Sequence, residues 1–287
     1  MLNFNPSIFE FKNKKYILLR GETQNNYNFN DSIFSYSLCN LDDKNKIIKK
    51  NKCSIIYEDN KYTEILRSTC NKSNILPEDI KIFPFLINNK IIGFANLLYE
   101  INPSRMNVGL IELNIEKYQI KIIKIYNLYN SYLIEKNWSI FTYLKKYYVI
   151  YSVFPYLIIY EFNIKNYELT LYQKTYTFNQ IAYEIDFRNI NNNYKHIFLT
   201  LCSFPIEVEK NKFLIFVKKR CNTNIYEYYK SFLIFKNNKF EIIFENNIIF
   251  AEKMLYLNDI KKINNKFLMC FGVNDSSFKI TEYVYKK

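Results

Sequence analysis

Apolar and polar positions along this chain alternate as strands do. The 3.6-residue periodicity of amphipathic helices is almost absent. Short runs of Ile, Val, Tyr and Phe recur instead, broken by Asn and Lys pairs, which is the punctuation of β-strands and turns. Five times a polar turn carrying Asn or Lys leads into a compact apolar strand. The strands are Tyr16–Arg20, Ile91–Ala95, Tyr148–Ser152, Phe213–Val217 and Phe267–Phe271. The turns before them are Asn13-Lys14-Lys15, Asn88-Asn89-Lys90, Lys145-Lys146-Tyr147, Lys210-Asn211-Lys212 and Asn264-Asn265-Lys266. Strand starts at 16, 91, 148, 213 and 267 are 75, 57, 65 and 54 residues apart. A mean spacing of about 63 residues suits a four-stranded propeller blade. A chain of 287 residues holds between four and five such units. The runs are apolar throughout, as expected of strands covered on both faces. The pattern therefore predicts an all-β fold, a five-bladed β-propeller with four-stranded antiparallel blades. A large β-sandwich with chance hairpin similarity is the competing architecture. No Gly/Ser/Pro-rich linker divides the chain, so residues 1–287 read as a single domain.

Composition narrows the chemistry. Hydrophobic residues make up 49% of the chain, enough for a sizeable core. Four isolated glycines (Gly21, Gly93, Gly109, Gly272) cannot build a P-loop or a G-x-G-x-x-G turn, and a single histidine, His196, cannot supply a zinc-protease motif. His196 has no carboxylate or serine motif beside it and reads as incidental. The six cysteines (Cys39, Cys53, Cys70, Cys202, Cys221, Cys270) form no C-x-x-C pair, so no metal site is expected. The start of the sequence lacks a basic segment followed by an apolar one, and the longest apolar stretch, Tyr147 to Tyr160, contains Pro155 and is too short for a spanning helix. The expectation is a soluble, cytoplasmic protein with reduced thiols and no membrane partner.

The formal charge of +13 raises the question of a nucleic-acid partner. The lysines are scattered, however, and only five of the 40 cations are Arg. The densest run, Lys44 to Lys52, reads as a polar loop. A specific nucleic-acid role is disfavoured.

Two tetrads carry the candidate chemistry. Glu78-Asp79-Ile80-Lys81 and Glu135-Lys136-Asn137-Trp138 each begin 13 residues before an anchor strand. If the repeat is structural, Glu78 and Glu135 occupy equivalent places in neighbouring blades, at one mouth of the central tunnel. Two facing carboxylates are the minimum apparatus for glycosidic cleavage, one as acid and one as base. Asp79 is the alternative to Glu78 in that pair. Such groups can equally clasp backbone amides of the next blade. Arg20, Lys81, Lys136 and Lys218 would line the same mouth and attract phosphate or an anionic sugar, or else form ion pairs with these acids. Trp138, the lone tryptophan, reads first as core and otherwise as a sugar-stacking ring.

At these tetrads the chain resembles the five-bladed β-propeller superfamily of glycoside hydrolases and mannoside phosphorylases. Asn5-Pro6-Ser7-Ile8 followed by Tyr16–Arg20 is similar to the family's opening N-P-x-x … L-x-x-R. Glu78–Lys81 resembles E-D-P-R. Glu135–Trp138 matches an E-K-N-W element of a poorly characterised branch. Phe271-Gly272-Val273-Asn274-Asp275 resembles that branch's closing S-Y-G-x-N-D. The resemblance implies a central sugar site with Glu78, Asp79, Glu135, Asn5, Asn137, Asn274 and Asp275 around the sugar. It implies Arg20, Lys81 and Lys136 in a ring that holds inorganic phosphate as co-substrate, with no other cofactor. The chain departs from the pattern at Ile80 and Lys81, which replace proline and arginine, at Lys218, where the phosphorylases carry histidine, and near Asn5, where arabinan-cleaving relatives carry aspartate. Lysine offers a point charge where arginine offers a fork. The reading is a carbohydrate-active protein with a carbohydrate or glycoconjugate partner, acting by acid/base cleavage, phosphorolysis or transfer. The alternative is a non-catalytic propeller that binds glycans or a protein.

Overall fold

The structure is a computed structural model, and it describes residues 2–23, 33–57, 76–101, 104–126, 137–177, 199–220, 225–253, 255–263, 266–273 and 277–285. Every regular element among them is a strand. The chain packs into two compact units. One comprises Met1–Lys136 with Leu257–Lys287, and the other comprises Asn137–Tyr256.

The first unit opens with β1 (Leu2–Phe11), β2 (Lys14–Thr23), β3 (Ile33–Leu41) and β4 (Ile47–Tyr57), an antiparallel meander. A second meander follows in β5 (Leu76–Ile82), β6 (Ile91–Ile101), β7 (Ser104–Asn114) and β8 (Gln119–Tyr126). The outer strands β4 and β8 pair in parallel, which joins the meanders into one eight-stranded sheet. A three-stranded sheet of β18 (Leu255–Ile263), β19 (Lys266–Val273) and β20 (Ser277–Tyr283) belongs mostly to the same unit.

The second unit holds two further sheets. The first is the meander β9 (Ser139–Tyr143), β10 (Lys146–Ser152), β11 (Tyr156–Asn163) and β12 (Glu168–Tyr176). The second contains β13 (Leu199–Leu201), β14 (Ile206–Glu209), β15 (Lys212–Arg220), β16 (Ile225–Lys236) and β17 (Lys239–Lys253), with β13 and β14 both paired to β15.

All five anchor runs fall within second-position strands of these modules: β2, β6, β10, β15 and β19. The turns before them explain why. Lys12 and Asn13, Asn88 and Asn89, and Leu144 and Lys145 all have φ between 47° and 64°. Positive φ at both central residues is the type I′ geometry whose twist matches a hairpin, and asparagine tolerates it best. The β16–β17 loop, Asn237-Asn238, repeats the device.

Strand β2 has no polar face until Arg20. Tyr16 and Leu18 pack into a cluster with Tyr36, Leu38, Ile80, Ile82 and Leu97, whereas Ile17 and Leu19 pack into another with Ile8, Cys39, Leu268 and Cys270. Strands β2 and β3 are thus buried on both sides, which is why β2 is apolar without alternation. Each such Ile or Leu contributes roughly 1.5–3 kcal/mol by leaving water. In the second unit, Phe141 meets Phe213 and Phe240 edge to face, each at 5.2 Å, within the cluster shared by its two sheets.

The lysine run from 44 to 52 departs from the expected loop. Its residues from Ile47 onward form β4, paired with β3 across a register shift at Ile48. Ile48 and the lysines there are exposed. An outer strand that faces water has no need of apolar alternation, so its pattern reads as loop. Cys39, Cys53, Cys202 and Cys270 are buried free thiols. Burial pushes Cys39 up to about 11 and Cys53 up to about 12. Cys70, Cys221 and His196 lie outside the described residues.

Candidate functional site

The site begins with a backbone irregularity used twice. The β1–β2 register shifts between Phe4 and Ser7, and the β5–β6 register shifts between Glu78 and Lys81. Each bulge carries one residue in the left-handed region, Asn5 at φ 50° and Asp79 at φ 46°. Asn and Asp accept that conformation at the lowest cost among residues with a side chain. The bulge re-aims the side chain, and Asn5 and Asp79 are turned toward each other: Asn5 Nδ2 donates to Asp79 Oδ1.

Arg20, on β2, supplies the cation. Its Nη1 lies 3.2 Å from Asp79 Oδ1 and 3.2 Å from Glu78 Oε1. Asn96, the cross-strand partner of Glu78, donates from Nδ2 to Asp79 Oδ2 at 3.5 Å. Asp79 therefore accepts from three side chains on β1, β2 and β6. The guanidinium is nearly buried, at 9% exposure, while Glu78 and Asp79 keep 17% and 25%. Two carboxylates and one guanidinium thus share a partly accessible cluster.

Tyr36 and two glycines support it. Tyr36, the β3 partner of Arg20, is buried and donates from its hydroxyl to the Pro77 carbonyl at 3.0 Å. Burial drives its phenol far above its ordinary value, with Asp79 and Glu78 adding to the rise and Arg20 opposing it, so it remains a neutral donor. Gly272 on β19 packs against Asn5: a Cβ there would lie 2.8 Å from Asn5 Oδ1 and 3.2 Å from Asn5 N. Gly93 faces the second bulge, where a Cβ would lie 2.6 Å from the Lys81 carbonyl oxygen.

The structure thus gathers Asn5, Arg20, Glu78 and Asp79 of the expected residues. Lys81, expected at the mouth, is 4% exposed and lies near Asp259 and Lys261. Asn137, at φ 65°, and Trp138 belong to the second unit. Trp138 is buried against Tyr151, ring centroids 5.3 Å apart. Lys218, on β15, sets its ammonium over the Tyr226 ring at 5.1 Å. Glu135, Lys136, Asn274 and Asp275 lie outside the described residues. Among the described residues, no group of three or more His, Cys, Asp or Glu is placed to hold a metal ion.

Sequence reasoning missed Asn96, Tyr36, Ser7, Asp259 and Lys261. One signal was available. Ser7-Ile-Phe-Glu-Phe11, Lys81-Ile-Phe-Pro-Phe85 and Ser139-Ile-Phe-Thr-Tyr143 are a repeat, each starting two residues after a left-handed Asn or Asp. Its first three positions are buried and its fourth is exposed in all three copies. Asp259-Ile-Lys-Lys-Ile263 has the same burial at those four positions, with charge in place of Ser and Phe.

An Asp held by an amide, a guanidinium and a second amide is an acceptor of fixed direction. With Glu78 and Asn5 beside it, it presents the alternating donors and acceptors that recognise a polyol.

No known protein family and no curated protein matches the sequence. Solved structures do match in fold. One, from the GH130 family of mannoside phosphorylases, which contains glycoside hydrolases that target β-1,2 mannosidic linkages in Candida mannan, is 13% identical with a TM-score of 0.68, over 100% of this chain and 85% of that one. The β-1,2-mannobiose phosphorylase from Listeria innocua is 12% identical with a TM-score of 0.64, over 97% of this chain and 88% of that one. A thermostable family-43 glycoside hydrolase is 12% identical with a TM-score of 0.58, over 99% and 90%. At such identity the likeness is one of fold alone, that of an all-β propeller.

Proposed function

We propose that the protein is carbohydrate-active and takes a glycoside at the cluster formed by Asn5, Arg20, Glu78 and Asp79. The observation that carries this reading is Asp79, a partly exposed carboxylate on a left-handed bulge, aimed by three side chains from three strands. The fold shared with mannoside phosphorylases and a family-43 hydrolase supports the same substrate class. In this reading Asp79 and Asn5 bind sugar hydroxyls. Glu78 and Glu135 divide acid and base duty. Arg20 screens the carboxylates and sets their orientation. Inorganic phosphate, where it replaces water as the attacking group, would meet Arg20.

The test is a panel of β-mannosides, β-galactosides and β-1,2-mannobiose, assayed with and without phosphate, on the wild type and on Glu78→Gln and Glu135→Gln. Loss of general acid–base catalysis removes roughly 10²–10⁴-fold of rate, so turnover should collapse in either variant. Turnover that depends on phosphate selects phosphorolysis. Sugar binding with no turnover in the wild type selects a binding protein. A wild type that neither binds nor turns over any member of the panel overturns the reading.

A further inference from the structure

Strand β18 contacts both bulged strands at the residues that follow Asn5 and Asp79. Asn258 Nδ2 donates to the Pro6 carbonyl at 2.8 Å. Ser7 Oγ donates to Asp259 Oδ2 at 3.0 Å and itself accepts the Ile82 amide at 2.9 Å. Lys261 Nζ donates to the Ile82 carbonyl and lies 3.4 Å from Asp259 Oδ2. Ser7 and Asp259 are 0% exposed and Lys261 is 4% exposed. One short strand therefore ties the backbone beyond the first bulge to the backbone beyond the second.

The residues that do this break the repeat of their neighbours. Where β1 and β9 carry Ser and Phe, β18 carries Asp259 and Lys261. A buried ion pair is a weak source of stability and often gives way to apolar residues without loss. Asp259 Oδ1, moreover, has no hydrogen-bond partner among the described residues, which is a penalty that a serine at this place would avoid. The charges are explained by what they hold in place.

We propose that Asp259 is a positioning residue, whose carboxylate, through Ser7 and with Asn258 and Lys261, fixes the two bulges that present Asn5 and Asp79. That this matters for sugar rests on the functional reading above, and the geometry of Asn5 does not. Asp259 touches no ligand in this scheme. It acts through Ser7 on the β1 and β5 backbones.

The test compares wild type, Asp259→Asn and the double variant D259S/K261F, which restores the Ser and Phe of the repeat. Two readouts are taken: the ¹⁵N side-chain amide signals of Asn5, assigned with an Asn5→Asp variant, and titration with β-1,2-mannobiose. The double variant should fold with a melting point near that of wild type while its Asn5 signals shift or broaden. Its affinity for β-1,2-mannobiose should fall roughly tenfold or more, the size of a lost charge-assisted contact. Asn5 signals that superimpose on those of wild type in either folded variant overturn the proposal. Failure of both variants to fold overturns it too, because the cluster would then support the fold rather than the site. Displaced Asn5 signals in a protein that never binds the sugar leave the positioning standing and overturn the functional reading instead.

Discussion

The tripeptide Asp-Ile-Lys occurs twice in the first unit, at 79–81 in β5 and at 259–261 in β18, and the two copies end in opposite environments. Asp79 sits on a bulge at positive φ with a quarter of its side chain exposed and three donors around it. Asp259 is fully buried, with one serine and one lysine on a single oxygen. Burial places Asp259 level with Lys81, two residues further along the inner strand than Asp79. The same letters thus yield a partly exposed cluster at one register and a buried ion pair at another.

The sharpest way to break this comparison is to remove each carboxylate in turn. Asp259→Ala leaves the Lys261 ammonium buried opposite an empty space, and breaking a buried pair from one side costs about 3–5 kcal/mol. Thermal melting should show a large drop. Asp79→Ala removes a partly solvated group and should move the melting point far less, while abolishing glycoside binding. Equal destabilisation by the two variants would show that both aspartates are structural.

Arg20→Lys tests the exposed copy from its cationic side. Arg20 Nη1 serves Glu78 and Asp79 at equal distance, and an ammonium cannot reproduce the planar fork. A charge-assisted bond at a nearly buried position is worth about 1.5–3 kcal/mol. Melting should report a loss in that range, and β-1,2-mannobiose titration a weaker complex. A melting point and affinity unchanged from wild type would reduce Arg20 to a bystander.

Gly272→Ala tests the contact between β19 and the first bulge. The added methyl meets Asn5 Oδ1 and N, and overpacking of this kind costs about 1–2 kcal/mol where a side chain can rotate away. Chemical denaturation should show that loss, and the Asn5 amide signals should move even though residue 5 is unaltered. A methyl at Gly109 would meet the Leu97 side chain instead, so Gly109→Ala serves as the control for the Asn5 signals.

The hairpins were legible because the residues that form them have a local preference. Asn13, Asn88, Asn89 and Asn211 all adopt positive φ, and the apolar strands after them needed no tertiary information. The two bulges were not legible in that way. One inserted residue inverts which side chains face inward beyond it, so Lys81 reads as a cation at a mouth but folds inward, beside the charges of β18. Asp259 and Lys261 were hidden for the opposite reason. Burial of charge is set by partners 252 and 179 residues away in sequence, and Leu257-Asn-Asp-Ile-Lys-Lys-Ile263 is polar enough to pass for a surface edge. Arg20, Glu78 and Asp79 were singled out by the repeat spacing and by a resemblance to a family pattern, not by a local rule.

The smallest expected effect is a pH dependence of the buried copy. Burial raises the Asp259 carboxyl above 3.8, against the pull of Lys261, Lys81 and Ser7, and lowers the Lys261 ammonium below 10.5, against Asp259. A carboxyl raised in the native state is protonated more readily there than in the unfolded chain, so its contribution to stability is lost as pH climbs from about 4 through the folded value. An ammonium lowered in the native state acts in the other direction. Its contribution returns as pH climbs through its folded value toward 10.5. Wild type should therefore be weakest, relative to D259S/K261F, between these two ranges. Melting curves of both proteins from pH 4 to 10 should show a gap that opens above pH 4 and narrows toward pH 10. A gap that stays constant across the whole range would mean that the buried pair titrates as it does in the unfolded chain, and the contrast between the two Asp-Ile-Lys copies would then rest on geometry alone.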